Sequence, residues 1–294
     1  MSPAILLPLL YLFIGLVLGK NYPDTKRPAA ALLTKVVIPL VIIYNLATYR
    51  PGFLAIMLGV LTIMGIMALL GQCFTKDPIR NLCFFYSNIG WLGLPVATAL
   101  FGDHAAAVFI AAYIGSTAFG NSIGAGMLEH GTQIKARMWN LLKSPPLIAS
   151  LIGIALMPLG DAIELYLHSV YGVLKFLLGF TGMAILGIWL AESRIQASDI
   201  RNELRPYLYK SLTSFALVTV FIQICSYFDI ALVTQNTAAL YLICLLPPAA
   251  NIVVLETHYR RTGHSAKLIA SGTCISIAAI FLYACLVPYL PLTR

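Results

Sequence analysis

Residues 81–95 read NLCFFYSNIGWLGLP, an apolar run in which two glycines and a proline follow the asparagine at position 88. Proline removes a backbone donor and disfavours helix just before itself, and glycine adopts conformations that other residues resist. The composition excludes a soluble fold, because 60% of the 294 residues are apolar and 10% are charged, against roughly 25% charged residues in soluble domains. The stretch therefore predicts a helix that breaks inside a membrane, where protein or water must satisfy the freed peptide groups.

A second interrupted run lies at residues 244–256, CLLPPAANIVVLE, where two consecutive prolines precede an asparagine. One such break alone is typical of a packing kink, and each amide could equally bridge two helices for about 1 kcal/mol. Two matched breaks in corresponding segments instead indicate the binding site of a transporter. The predicted substrate-binding residues are Asn88, Gly90, Gly93, Pro95, Pro247, Pro248 and Asn251.

Ten apolar runs are predicted to be transmembrane helices, because most of them approach the roughly 20 residues that a span requires. Their continuous apolar character excludes the alternating strands of a membrane barrel. The predicted fold is therefore an all-α polytopic membrane protein. The runs are Ala4–Gly19, Ala29–Ala47, Phe53–Gly71, Asn81–Phe101, His104–Leu128, Pro145–Gly160, Ser169–Ala191, Ser211–Phe228, Ala238–Leu255 and Ser265–Leu290.

The lysines and arginines divide unequally between the two sets of alternate loops. One set holds fifteen of them, including Lys210, whereas the opposite set and the termini hold only Arg50 and Arg294. Cytoplasmic loops carry the excess of positive charge, so the basic loops are predicted to be cytoplasmic and both termini extracytoplasmic. The net charge of +8 is thus explained by loop charges and does not indicate nucleic-acid binding.

Five predicted spans precede the basic loop Glu129–Ser144 and five follow it. Because five is odd, the second half is inverted relative to the first, as in many secondary transporters. The predicted organisation is a first five-helix repeat at residues 1–128, a cytoplasmic linker at residues 129–144 and a second repeat at residues 145–294. Chance similarity between two apolar halves is the alternative that stays open.

The motif from Asn88 to Pro95, followed by Leu100-Phe-Gly102 and by Pro247-Pro-Ala-Ala-Asn251, resembles the auxin efflux carrier family. That family includes plant auxin carriers and short bacterial malonate or malate permeases, and it shares its architecture with bile-acid sodium symporters. The resemblance implies ten helices in two inverted repeats, with broken helices 4 and 9 crossing. It also implies a scaffold of helices 1, 2, 6 and 7 that dimerises, a transport unit of helices 3–5 and 8–10, elevator-type motion and a bacterial inner membrane location.

Four further polar residues are candidates for coupling or electrostatic roles. Lys35 and Lys175 lie inside predicted spans, where a lysine either snorkels to the interface or attracts an anionic substrate. Glu256 either couples transport to protons or forms an i, i+4 ion pair with Arg260. Asn121 is an isolated amide, which is more typical of an interhelical hydrogen bond than of a ligand.

The sequence as a whole predicts a carrier for a small organic anion, such as a monocarboxylate or dicarboxylate. A channel and a sodium-coupled symporter are the alternatives, and an intramembrane enzyme is the weakest class because no paired acids lie at a common depth. The chain contains no phosphate-binding loop and no metal-ligand spacing, so we expect no cofactor and no metal. The expected partners are the substrate anion, membrane lipid and a second copy of the chain.

Overall fold

The computed structural model describes residues 6–48, 51–128, 145–193 and 195–289. Within these ranges every regular element is helical, which confirms the predicted all-α class. One isolated antiparallel β-bridge joins Ser87 to Pro248. The predicted linker at residues 129–144 and both chain ends lie outside the described residues.

The described residues up to Leu128 form eight α-helices, and three of the junctions between them are π-helical turns. The turn Leu33–Val37 joins α2 to α3, Ile89–Gly93 leads into α6, and Gly120–Gly124 joins α7 to α8. Wide turns of this kind inside a helix are frequent at functional sites. The helices are α1 (Leu6–Asn21), α2 (Lys26–Leu32), α3 (Ile38–Ala47), α4 (Phe53–Phe74), α5 (Pro78–Phe85), α6 (Leu94–Phe101), α7 (Asp103–Phe119) and α8 (Ala125–Leu128).

The remainder of the described chain forms seven helices. The long α11 begins with a capping box, in which the Gln196 and Asp199 side chains and backbone N–H groups satisfy one another. The helices are α9 (Pro145–Ala155), α10 (Gly160–Glu192), α11 (Ala197–Tyr227), α12 (Ala231–Thr234), α13 (Thr237–Ile243), α14 (Asn251–Tyr259) and α15 (His264–Leu286).

Six helical segments of the described chain are long and apolar enough to cross a membrane. The segments Leu7–Asn21 and Ile89–Phe101 are apolar but shorter. Six long apolar helices indicate a multi-pass membrane protein, whereas the count of ten spans and the inverted repeat stay predictions. The six segments are Arg27–Ala47, Phe53–Phe74, Asp103–Leu128, Met157–Glu192, Ala197–Tyr227 and His264–Tyr289.

Helices α1 and α10 pack side by side at glycine residues. A Cβ atom on Gly15 would lie 2.1 Å from the Ala184 carbonyl oxygen, and one on Gly187 would lie 2.2 Å from the Leu12 carbonyl oxygen. Small residues let helix backbones approach closely inside a membrane, where packing rather than water drives association. These contacts, together with the packing of α10 on α3 and of α3 on α9, join α1, α3, α9 and α10.

A second set of contacts surrounds the two interrupted runs. Helix α4 packs on α5, α7 and α11, and α11 packs on α15. The buried Asn81 amide on α5 donates a hydrogen bond to the Ala68 carbonyl on α4 at 3.1 Å. A hydrogen bond between helices of this kind holds α5 against the long helix beside it.

Candidate functional site

Both predicted interruptions are present in the structure, and each is shorter than its sequence motif. Helix α5 ends at Phe85 and helical structure resumes at Ile89. Helix α13 ends at Ile243 and helical structure resumes at Asn251. The non-helical segments 86–88 and 244–250 are called break 1 and break 2 below.

The two breaks pair with each other through their backbones. The Asn88 N–H donates to the Pro247 carbonyl at 2.9 Å, and the Ala249 N–H donates to the Tyr86 carbonyl at 2.8 Å. Peptide groups that leave a helix inside a membrane need partners within the protein. Each break therefore supplies a hydrogen-bond partner that the other requires.

A cavity of about 350 Å³ lies beside the paired breaks. Residues of both breaks border it, together with residues of α2, α7 and the first turn of α14. Among the described residues that line it, Lys35 is the one charged side chain. Its volume is in the range of small-molecule sites, and its described lining combines amides, hydroxyls and one cation.

Asn88 has two roles at the edge of this cavity. Its Oδ1 accepts a hydrogen bond from the Trp91 N–H at 3.2 Å, so the side chain caps the helical segment that follows break 1. Its Nδ2 is buried and has no hydrogen-bond partner among the described residues. A buried donor without a partner costs about 1–3 kcal/mol, so a rotation of this side chain toward an acceptor in the cavity would be favourable.

Asn251 and Asn121 meet in the lining of the same cavity. The Asn251 Nδ2 donates to the Asn121 Oδ1 at 2.7 Å, and both residues line the cavity. Asn121 lies in the π-helical turn between α7 and α8. The structure thus brings Asn121, which the sequence treats as an isolated amide, into the same site as the two predicted asparagines.

Gly90, Gly93 and Pro95 lie in helical structure after break 1 and not in the break itself. A Cβ atom on Gly90 would lie 2.5 Å from the Tyr113 ring, so this glycine is required for close packing against α7. Pro95 falls in the first turn of α6, where its missing N–H is tolerated because the π-helical turn comes before it. Tyr86, Ser87 and Asn88, rather than the glycines and proline, make the break.

The two lysines of the predicted spans have different surroundings. Lys35 lies in the π-helical turn Leu33–Val37, is exposed and borders the cavity. Lys175 forms an ion pair with Asp103 at 2.6 Å and lies over the Tyr171 ring, 5.0 Å from its centroid. Lys175 is not among the residues that line the cavity beside the breaks. Of the two, Lys35 is placed where it can attract an anion.

Glu256 is fully buried and caps the N-terminus of α15. Its carboxylate accepts hydrogen bonds from the backbone N–H groups of His264 and Ser265, both at 2.7 Å, and from the hydroxyl groups of Thr262 and Ser265. Arg260, its expected i, i+4 partner, donates its Nε to a backbone carbonyl at 2.9 Å. The carboxylate is held by helix-terminal donors, where negative charge is stabilising.

We expect Glu256→Gln to lower the free energy of unfolding by about 1–3 kcal/mol, because the neutral amide presents an NH2 group to donors that now point at an oxygen. Thermal unfolding of the purified protein in detergent measures this. The matched control is Glu164→Gln, because Glu164 is exposed on the surface of α10. This variant should change the free energy of unfolding by less than about 0.5 kcal/mol. Equal unfolding temperatures for Glu256→Gln and wild type would contradict the capping role.

Lys210 is the largest departure from the sequence-based expectation. The sequence places it among the loop charges, whereas the structure places it within α11 with 3% of its surface exposed. Its Nζ donates a hydrogen bond to the Leu246 carbonyl in break 2. Glu203, Tyr207 and Lys210 are spaced i, i+4, i+7 and so share one face of a helix, and this spacing is the signal that could have identified the group.

In comparisons with known proteins, the chain matches no family model and no curated protein. The resemblance to the auxin efflux carrier family therefore rests on the motifs at residues 88–102 and 247–251. Among the described residues, the site has paired breaks, a cavity beside them, a buried amide whose Nδ2 has no hydrogen-bond partner and one lining lysine. These features, rather than a relative, carry the functional interpretation.

Proposed function

We propose that the protein is a secondary carrier for a small organic anion, such as a monocarboxylate or dicarboxylate, which binds in the cavity beside the paired breaks. The observation that carries this proposal is the chemistry of that cavity. Its described lining includes the Lys35 ammonium and the Asn88 amide, whose Nδ2 has no partner among the described residues, and it includes no carboxylate. A carboxylate ligand would supply the missing acceptor.

Helix ends support an anionic rather than a cationic substrate. Helical structure resumes at Ile89 after break 1 and at Asn251 after break 2, and both residues line the cavity. The N-terminal end of a helix carries unpaired N–H groups and a partial positive charge, which favour anions. Two such ends beside one cavity add to the effect of Lys35.

Two groups of packed helices support an elevator-type mechanism. One group joins α1, α3, α9 and α10, and the other joins α4, α5, α7, α11 and α15 around the breaks. In the proposal the first group is the dimerising scaffold and the second is the transport unit. The same order of elements in each half, with a broken fourth helix, supports ten spans in two inverted repeats, as the auxin efflux carrier family would have.

The position of Lys35 supports an inward-facing state. The positive-inside rule places the N-terminal end of the segment Arg27–Ala47 at the cytoplasmic surface, and Lys35 borders the cavity near that end. In the proposal the cavity opens toward the cytoplasm of a bacterial inner membrane, and no enzymatic step is involved. Transport then requires movement of the paired breaks past the scaffold.

The proposed function is tested by uptake into proteoliposomes. We expect saturable uptake of at least one labelled carboxylate from a panel of monocarboxylates and dicarboxylates when all sodium is replaced by N-methyl-D-glucamine. The physical reason is that the site offers donors and positive helix ends for the anion, without a carboxylate of its own among the described residues to hold a sodium ion. Countertransport by unlabelled substrate on the far side should accelerate the flux.

Protein-free liposomes are the background control for this measurement. Uptake that collapses without sodium and returns saturably when sodium is added would show a sodium-coupled symporter instead. Single-channel currents in planar bilayers, without saturation or countertransport, would show a channel. Absence of uptake across the whole panel in both salts would overturn the assignment to organic anions.

A further inference from the structure

Break 2 follows the short helix α13. Carbonyl groups at this junction accept hydrogen bonds from three side chains. Turn-type bonds continue α13 as far as Leu246, whose N–H donates to the Ile243 carbonyl at 3.3 Å. The Leu245 carbonyl accepts from the Tyr207 hydroxyl at 2.6 Å and from the Ser276 hydroxyl at 2.5 Å. The Leu246 carbonyl accepts from the Lys210 ammonium. The C-terminal end of a helix carries partial negative charge, so a cation is stabilised there.

Lys210 is buried in a way that requires explanation. A buried ammonium is costly unless its charge is compensated, and only 3% of this residue is exposed. Among the described residues no carboxylate oxygen lies within 4.0 Å of its Nζ. Glu203, which is 9% exposed, lines a second cavity of about 290 Å³ together with Lys210 and Arg80. The direct partner of the ammonium is thus a backbone carbonyl at the helix end.

The two cavities lie on either side of break 2. Pro248 borders the cavity that contains Lys210, whereas Ala249, Ala250 and Asn251 border the candidate substrate cavity. Leu246, the residue that Lys210 contacts, immediately precedes Pro247, whose carbonyl joins break 2 to break 1. A positive charge at Leu246 is therefore placed to hold the shape of the segment that borders the substrate.

We propose that the Lys210 ammonium is a tethered cation at the end of α13, where it fills the place that a dissociable cation such as sodium would otherwise occupy. This inference rests on the proposed carrier function for its role in transport, but the site itself is defined without it. The Leu246 carbonyl accepts from the ammonium, and the adjacent Leu245 carbonyl and the hydroxyls of Tyr207 and Ser276 that bond to it are further oxygen atoms of the kind that hard cations bind. Because the charge is covalently attached, the site stays filled at any sodium concentration.

The test is to remove the tethered cation and offer a free one. Lys210→Ala is purified in detergent, and its unfolding temperature is measured in sodium chloride and in N-methyl-D-glucamine chloride at equal ionic strength. We expect sodium to raise the unfolding temperature of the variant by about 3 °C or more, because a ligand that binds the folded state stabilises it. Wild type should unfold at the same temperature in both salts.

Lys267→Ala is the matched control, because it removes a lysine from an exposed ion pair with Asp199 and should show no difference between the two salts. Lys210→Gln removes the charge but keeps a hydrogen-bond donor, so it distinguishes the two contributions. The same measurement is made on this variant if Lys210→Ala does not fold. Its amide can still donate to Leu246, so a purely structural hydrogen bond predicts wild-type behaviour, whereas a tethered cation predicts sodium-dependent stability.

Two results would overturn the inference: sodium-insensitive unfolding of Lys210→Ala and Lys210→Gln, or an equal stabilisation of wild type by sodium. Uptake by the same proteins is measured separately. If wild type transports no carboxylate while the stability of Lys210→Ala depends on sodium, the proposed carrier function is wrong and the cation site is supported. If wild type transports a carboxylate and the stability of neither variant depends on sodium, the cation site is wrong and the carrier function is supported.

Discussion

Asn88→Ala is expected to lower carboxylate uptake at least about tenfold at subsaturating substrate. The variant removes a buried amide donor at the cavity, and a hydrogen bond to a charged acceptor contributes about 1.5–3 kcal/mol. Asn251→Ala should have a similar effect, because it removes a second lining amide and leaves the Asn121 Oδ1 without its donor. Initial rates in proteoliposomes measure both losses.

Both variants should remain folded. Loss of the Asn88 cap costs about 0.5–2 kcal/mol, which is offset in part because the unpartnered donor disappears as well. Asn236→Ala is the matched control: its amide donates to the Leu232 carbonyl at 3.0 Å in the turn between α12 and α13, outside the cavity. Monodisperse elution of all three variants, with uptake lost only for the first two, is the expected pattern. Wild-type uptake by Asn88→Ala would show that the substrate does not bind at the paired breaks.

Lys35→Gln is expected to lower uptake of a carboxylate about tenfold at low ionic strength, since two unit charges 4 Å apart interact by a few kcal/mol near a protein surface. Lys35→Arg keeps the charge and should retain most of the activity. Because Lys35 is exposed, salt screens its field, and the difference between wild type and Lys35→Gln should shrink as the salt concentration rises. Initial rates at several ionic strengths measure the effect.

Lys175→Gln makes the same substitution at the other lysine of the predicted spans and is compared with Lys35→Gln. Lys175 is already paired with Asp103 at 2.6 Å and lies outside the cavity lining. We therefore expect uptake by Lys175→Gln to stay within about twofold of wild type, with no dependence on salt beyond that of wild type. Equal losses in Lys35→Gln and Lys175→Gln would mean that the cavity beside the breaks is not where the anion binds.

The membrane class and the presence of the two breaks could be predicted from the sequence because they follow from local chemistry, whereas break 1 lies just before the glycines and proline that predicted it. Consecutive prolines cannot continue a helix, and this is visible at Pro247 and Pro248 without any tertiary information. Helix length was less predictable. The apolar run that begins at Ser211 predicts a short span, whereas α11 begins at Ala197, because a helix continues through charged residues once neighbouring helices pack against it.

The partners within the site could be predicted only in part. Asn88 and Asn251 are marked by the breaks beside them, but the contact between Asn251 and Asn121 joins residues 130 positions apart and has no local signal. The surroundings of Lys210 are likewise only partly predictable. Its spacing from Glu203 and Tyr207 can be read from the sequence, whereas its contact with the Leu246 carbonyl cannot. Tertiary placement, not residue type, turns these side chains into a site.

The exchange of hydrogen bonds between the breaks has a consequence for biosynthesis. The Tyr86 carbonyl receives its partner from Ala249, which leaves the ribosome about 160 residues later, or roughly 10–30 s at ordinary rates of synthesis. During that interval the peptide groups of break 1 lack their hydrogen-bond partners in break 2, and water or lipid headgroups must solvate them. The N-terminal part of the chain should therefore complete its insertion only after break 2 arrives, so truncations before residue 247 should be recognised and degraded as immature protein.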